Sequence, residues 1–262
     1  MKSLSLENPE NPTMRAILPG PGNYITTLGY RVFNDDMSVI PMGGDETRVM
    51  NTISPNSYGI ALKDKEFQDA LQTSDHLMLD GVYFAFASIM LQGKNIRRNQ
   101  GPDIFYHFMK RLEEMKGTAF FMGSMPKTLD LIKANAAREY PNIKVHGYSP
   151  PFKPVFTDED NNAIVEAINA VRPDVVFVGM TCPKQEKWAI AQRASLHPTL
   201  VICIGNVFDW YAGTQKSIHP IWFKLRIGWL VRIFLRPEIF RRNIGNQMAF
   251  FWDVFLHFLR IR

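Results

Sequence analysis

The sequence predicts an α/β fold: a Rossmann-like parallel sheet flanked by helices, followed by a basic, aromatic helical appendage at the C-terminus. Three observations carry this. Short runs of Val, Ile and Phe without polar alternation, Val175–Val178 and Leu200–Ile204, fit strands covered on both faces. Each run meets a glycine and then a polar turn, Gly179 before Thr181–Glu186 and Gly205 before Asn206–Asp209. Segments of helical spacing separate the strand signals, and such alternation builds a parallel sheet with right-handed crossovers.

The elements follow in order. Residues 1–45 are rich in Pro, Gly and Asn and read as loop with one strand, Tyr30–Phe33. Arg48–Ile53 reads as a strand that delivers Thr52 and Ser54 to its carboxyl end. Lys63–Thr73 has helical spacing through Phe67, Ala70 and Leu71, and His76–Leu79 is a short strand ending on Asp80-Gly81. Val82–Leu91 is an apolar helix, suited to a core or a partner face rather than a membrane span. Asp103–Met115 reads as a helix, Thr118–Met122 as a strand, and Gly123-Ser124 leads into a helix from Pro126 to Glu139. Ile143–Val145 is a further strand. Thr157 and Asp160 form a capping-box start for a helix that Arg172-Pro173 ends near Val171. Pro183 suits the first turn of the next helix, where its missing N–H would have no intrahelical partner anyway. The α/β unit is expected over residues 1–215 and the appendage over 216–262.

Composition narrows the classes. A chain of 262 residues with 46% hydrophobic content holds one large α/β domain, or a domain with an appendage. Cys182 and Cys203 are the only cysteines, too few for a disulfide framework or a four-cysteine zinc site, and fit thiols of a reducing cytoplasm. No secretory signal and no membrane span is read.

The net charge of +5 is unevenly placed. Residues 221–262 hold eight Lys or Arg against Glu238 and Asp253, and ten of the 32 aromatic residues. Gln247–Leu259 has the spacing of a helix with a broad aromatic face. Arginine interleaved with Trp and Phe suits an anionic membrane surface. Packing of these helices on the domain, with solvated arginines, stays open as the alternative. Nucleic-acid binding is not expected, because no recognition motif accompanies the basic run.

Asp80 is the first catalytic candidate. A carboxylate at the end of a buried strand stands where a general base can take a proton from an attacking hydroxyl. Capping of the helix that begins near Val82 is the competing reading of the same residue. Backbone N–H groups at the helix starts after Gly123-Ser124 and Pro183 would attract an anion.

The stretches VGMTCPKQEKW and IGNVFDWYAG resemble the signature of the WecG/TagA/CpsF glycosyltransferases, bacterial enzymes that add a sugar to a lipid-linked acceptor. The likeness extends to Asn51–Gly81, to RRNQGPD (Arg97–Asp103) and to FFMGSMPKTLDLI (Phe120–Ile132), with weaker echoes to Arg242. It implies an inverting transfer from a UDP-sugar to an undecaprenyl-diphosphate-linked sugar, the donor sugar being N-acetylmannosamine or a related hexose. It also implies an enzyme that needs no cofactor and no metal, peripheral on the inner face of the cytoplasmic membrane, and homo-oligomers that rearrange there.

The resemblance assigns roles residue by residue. Asp80 matches the proposed base and Thr52 the threonine near acceptor and sugar. Ser54 stands where relatives often have asparagine, which bears on the identity of the sugar. Arg98, Gly101 and Asp103 match an R-x-x-G-x-D pattern; Arg98 would meet the acceptor diphosphate and Asp103 reads as a helix cap. Gln185, Glu186, Asn206 and Asp209 would meet sugar or ribose hydroxyls. Gly123, Ser124 and Gly205 would let backbone approach the ligand, and Tyr148, Phe152 or Phe156 would stack on uracil. Arg232 and Arg236 are the tail arginines expected at the diphosphate. The tail departs most from the family, with Ser217–Pro220 and Ile227–Leu230 in place of its usual motifs.

Two other classes stay in view. A dinucleotide-binding oxidoreductase would need a G-x-G-x-x-G fingerprint, which Gly123-Ser124-Met125 does not supply. A membrane-docked scaffold that binds sugar nucleotide without turnover would show the same motifs.

Overall fold

The computed structural model describes residues 22–215 and 237–261. It begins with an antiparallel hairpin, β1 (Tyr24–Thr27) and β2 (Tyr30–Phe33), where one strand was expected. The two-residue turn explains the difference: Leu28 and Gly29 both adopt positive φ, 49° and 78°. Such a turn reverses the chain at once.

Six strands then form one parallel sheet: β3 (Arg48–Ile53), β4 (His76–Leu79), β5 (Thr118–Gly123), β6 (Lys144–Tyr148), β7 (Val175–Gly179) and β8 (Leu200–Cys203). Their order is β4–β3–β8–β7–β5–β6. The chain leaves β3 toward β4 on one side, then fills the other side, and β8 finally closes against β3. A crevice opens at the carboxyl ends where the order reverses, the usual ligand position of such sheets.

Eight helices connect and cover the strands: α1 (Pro55–Ala61), α2 (Lys65–Gln72), α3 (Val82–Gln92), α4 (Gly101–Met115), α5 (Pro126–Glu139), α6 (Asp158–Val171), α7 (Lys184–Gln192) and α8 (Val207–Ala212). Side chains alternate between the two faces of the sheet. Along β7, Val175 and Phe177 join Phe105 of α4 and Phe208 of α8 on one face. Val176 and Val178 join Ile164 of α6 and Trp188 of α7 on the other. Burial on both faces removes Val175–Val178 from water, worth roughly 1.5–3 kcal/mol for each large side chain.

Among the described residues one further helix follows, α9 (Pro237–Phe258), which packs against α1 and α3. It is longer than the expected Gln247–Leu259, running through Gly245 without a break. Its Phe250 and Val254 are buried with Tyr58 of α1 and Phe84 of α3 in a third cluster. The Tyr58 hydroxyl donates to the buried Asp253 carboxylate of α9.

Several boundaries differ from the expected ones for local reasons. Helix α1 was not expected; Ser54 begins it through a reciprocal cap with Ser57. Helix α4 starts at Gly101, and the expected cap holds: the Gln100 N–H donates to Asp103 Oδ2 at 3.1 Å. Pro183 is the N-cap of α7 rather than a first-turn residue. Strand β6 runs on to Tyr148 because it pairs along the whole of β5.

Candidate active site

The carboxyl ends of β3, β4 and β8 and the start of α7 enclose a pocket of about 170 Å³. Thr52 enters it from β3 and Ser54 from the cap of α1. Asp80 enters from the end of β4, and Gln185 and Glu186 from the first turn of α7. Five residues assigned from separate stretches of sequence thus meet at one place.

Pairing fixes their relative heights. Thr52 lies beside Met78 in the β3–β4 register, and the Asp80 N–H donates to the Ile53 carbonyl at 2.9 Å. Gly81, with φ of 94°, is the N-cap of α3 and has no side chain to offer. The N-cap position of α3 is therefore Gly81 and not Asp80.

Glu186 is the carboxylate buried deepest in the pocket wall. Only 2% of it is exposed. Its Oε1 accepts from Gln185 Nε2 at 2.9 Å, while the buried Oε2 has no hydrogen-bond partner among the described residues. Burial pushes its carboxyl up to about 7, against the hydrogen bonds from Gln185 and its own backbone. Gln185 is held in turn by the Met180 N–H, which donates to its Oε1 at 3.3 Å. The pair is thus fixed by the turn that leaves β7.

Cys182 also lines the pocket, a position that sequence reasoning did not assign to it. Burial, and then the neighbouring Glu186, push its thiol far above the ordinary range. It stays protonated and unreactive, as does the fully buried Cys203. Gly101, Asn56, Ser57 and Ile204 complete the lining. Gly101 was legible in its motif. A Cβ there would stand 2.9 Å from Val207 Cγ2, so glycine lets α4 approach α8. Asn56 accepts from Asn246 Nδ2 at 3.3 Å, which ties α1 to α9.

Other candidates lie outside this lining. Arg98 is exposed, its backbone bridged to Leu79 one residue before Asp80. Gly123 has φ of 114°, and a Cβ on it would stand 2.6 Å from the Gly179 carbonyl oxygen. Glycine there serves the close pairing of β5 with β7. Ser124 follows with φ of 59°, and its carbonyl accepts from Ser149 Oγ at 2.7 Å. Gly205, φ 51°, sits above Gln185 and the Met180 carbonyl. Asn206 is exposed against Gln215, and the Asp209 carboxylate accepts from Thr214 Oγ1 at 3.1 Å and Gln215 Nε2 at 3.0 Å. Tyr148 is half-buried against the cluster of α6 and α7. Phe152 is wholly exposed, and Phe156 carries Lys184 Nζ 3.4 Å from its ring centroid. Arg232 and Arg236 fall outside the described residues.

The chain has one Asp-x-Asp spelling, Asp158-Glu159-Asp160, which sequence reasoning passed over. It is engaged at the start of α6: Asp160 Oδ2 accepts from the Thr157 N–H at 2.9 Å and pairs with Lys153 Nζ at 2.7 Å. Among the described residues, no group of three or more His, Cys, Asp or Glu side chains is placed to hold a metal ion. Among the same residues, no helix is long and apolar enough to cross a membrane.

Comparison with known proteins agrees with this geometry. The chain is 27% identical over 197 residues to an N-acetylglucosaminyldiphosphoundecaprenol N-acetyl-beta-D-mannosaminyltransferase of Bacillus subtilis (strain 168), covering 75% of each chain. Proteins of the same name from Bacillus spizizenii and Staphylococcus aureus (strain NCTC 8325) are each 24% identical, over 195 and 184 residues. Those alignments cover 74% and 69% of each chain. The profile of the Glycosyl transferase WecG/TagA/CpsF family matches residues 30–262, so the chain belongs to this glycosyltransferase family.

Proposed function

We propose that this glycosyltransferase moves N-acetylmannosamine, or a related hexose, from a UDP-sugar to a sugar linked through a diphosphate to undecaprenol. The observation that carries the assignment of roles is the position of Asp80, at the end of a fully buried strand and in the wall of the pocket. The named relatives support the choice of sugar and acceptor.

The Asp80 carboxylate accepts the proton of the acceptor hydroxyl as that oxygen attacks the anomeric carbon. The bond from the anomeric carbon to the β-phosphate oxygen breaks on the opposite face. UDP leaves, and the configuration inverts. Thr52 and Gln185 hold sugar hydroxyls in the same pocket as Asp80. Negative charge growing on the leaving diphosphate is met by backbone N–H groups at the start of α7 and by the tail's Arg232 and Arg236, while Arg98 meets the acceptor diphosphate. The reaction needs no metal in this scheme. Residues 216–262 form the appendage that holds the enzyme to the inner face of the cytoplasmic membrane.

The test is UDP release from a panel of UDP-sugars with a diphosphate-linked GlcNAc acceptor, with EDTA present, for the wild type and Asp80→Asn. Release from one donor, lost in the variant while UDP still binds, is the expected result. Retained turnover in Asp80→Asn would remove Asp80 as the base.

A further inference from the structure

Helices α3 and α9 leave between them an apolar groove of about 340 Å³ on the outside of the molecule. Tyr83, Phe86 and Met90 line it from α3, and Phe251, Phe255 and Phe258 from α9. These positions recur every three or four residues, so each helix contributes one continuous stripe. The stripes are uncovered: Phe86 is 64% exposed, Phe255 48% and Phe258 56%. A contiguous aromatic surface of this kind marks a binding site.

Three features select the occupant. Helix α3 begins two residues after Asp80, so Tyr83 places one end of the groove within a turn of the pocket. The lining has no charged side chain and only the Tyr83 hydroxyl as a polar group. An extended peptide would leave backbone groups unmatched there, whereas a hydrocarbon chain has none to match. The exposed charges of α9 and its end are Arg241, Arg242 and Arg260 against Glu238. A second copy would bring like charges together, while an anionic lipid meets opposite ones.

We infer that this groove seats the first isoprenyl units of a polyprenyl diphosphate whose headgroup lies in the pocket at Asp80. The inference rests on the proposed use of a polyprenyl-linked acceptor. It deepens that reading by giving the chain's own surface a share in acceptor binding, apart from any contact with the bilayer.

Calorimetric titration with geranylgeranyl diphosphate tests it on the full chain, with Phe86→Ser and Phe255→Ser as surface variants. The expected result is binding by the wild type that weakens on the order of tenfold in each variant, with Tm and sedimentation unchanged. Unchanged affinity in both variants overturns the inference. Altered sedimentation would then point to a second copy, and lost binding to phosphatidylglycerol vesicles to the membrane surface. No binding by the wild type also overturns it. Groove-dependent binding by an enzyme that releases no UDP from any donor would remove the proposed transfer and leave the groove standing.

Discussion

Gly59 of α1 touches Asn246 of α9 so closely that a Cβ on the glycine would stand 2.1 Å from the asparagine carbonyl oxygen. The contact is backbone against backbone, so no side chain can swing away to relieve it. Helix α1 begins at the pocket residue Ser54, and α9 thereby sits directly behind one wall of the site. Gly59→Ala is expected to cost about 1–3 kcal/mol by overpacking, and to slow transfer by displacing α1. Gly245→Ala, one residue before Asn246, is expected to do the opposite. Nothing lies within 4 Å of a Cβ there. An alanine in the helix should stabilise by about 0.5–1 kcal/mol. Thermal melts of the two variants check both signs.

Glu186 predicts a pH dependence of stability with a definite sign. Its folded-state value, about 7, lies above the ordinary 4.5 of an unfolded chain. The buried carboxyl therefore favours the protonated form. Its contribution to stability is complete below about pH 4.5 and is lost as pH rises through 7. Glu186→Gln keeps the neutral shape and has no proton to lose. The variant should match the wild type near pH 4.5 and exceed it at pH 8 by roughly 3 kcal/mol at most. Equal melting temperatures at pH 8 would show that Glu186 ionises without cost.

His76 predicts the reverse trend at acid pH. It is fully buried at the start of β4, with Nδ1 3.0 Å from the Tyr24 hydroxyl. Burial, the dominant cause, lowers it from 6.5 to about 4. The unfolded chain takes up a proton below pH 6.5 that the native state refuses. Stability should then fall between pH 6.5 and 4, by roughly 3 kcal/mol for this group. His76→Gln should flatten that part of the curve. An unaltered acid limb would assign the loss to carboxylates elsewhere.

Most of the sheet was legible because β4, β7 and β8 are buried on both faces and therefore spelled without alternation, whereas the edge strand β6 is partly exposed. Val175–Val178 and Leu200–Cys203 needed no further cue. Strand β1 and helix α1 were not legible. The former is four residues whose burial depends on pairing with β2, and the latter is seven residues containing Gly59. The pocket was visible as the polar ends of four separated stretches, yet Thr52, Asp80 and Glu186 converge only through the strand order. That order places β3 between β4 and β8, which no local pattern encodes. Cys182 read as a near-core thiol because its exposure to the pocket depends on the same order. The groove was half visible. Val82–Leu91 was suited to a partner face, but α9 had to be placed beside it before a partner of definite chemistry could be argued.

Ser54 carries two duties that a substitution can separate. Its Oγ accepts from the Ser57 N–H at 3.3 Å and so caps α1, and it also lines the pocket. Ser54→Ala removes the cap and should cost about 1 kcal/mol. Asparagine caps a helix as well as serine does, so Ser54→Asn should leave the melting temperature nearly unchanged. The longer amide, however, enters the pocket and offers two donors and a carbonyl where a hydroxyl stood. The preference among UDP-sugars should therefore shift in Ser54→Asn at constant stability. Comparison of kcat/KM across the donor panel reads this directly. An unchanged ranking of donors would confine Ser54 to the cap and place the choice of sugar elsewhere in the pocket.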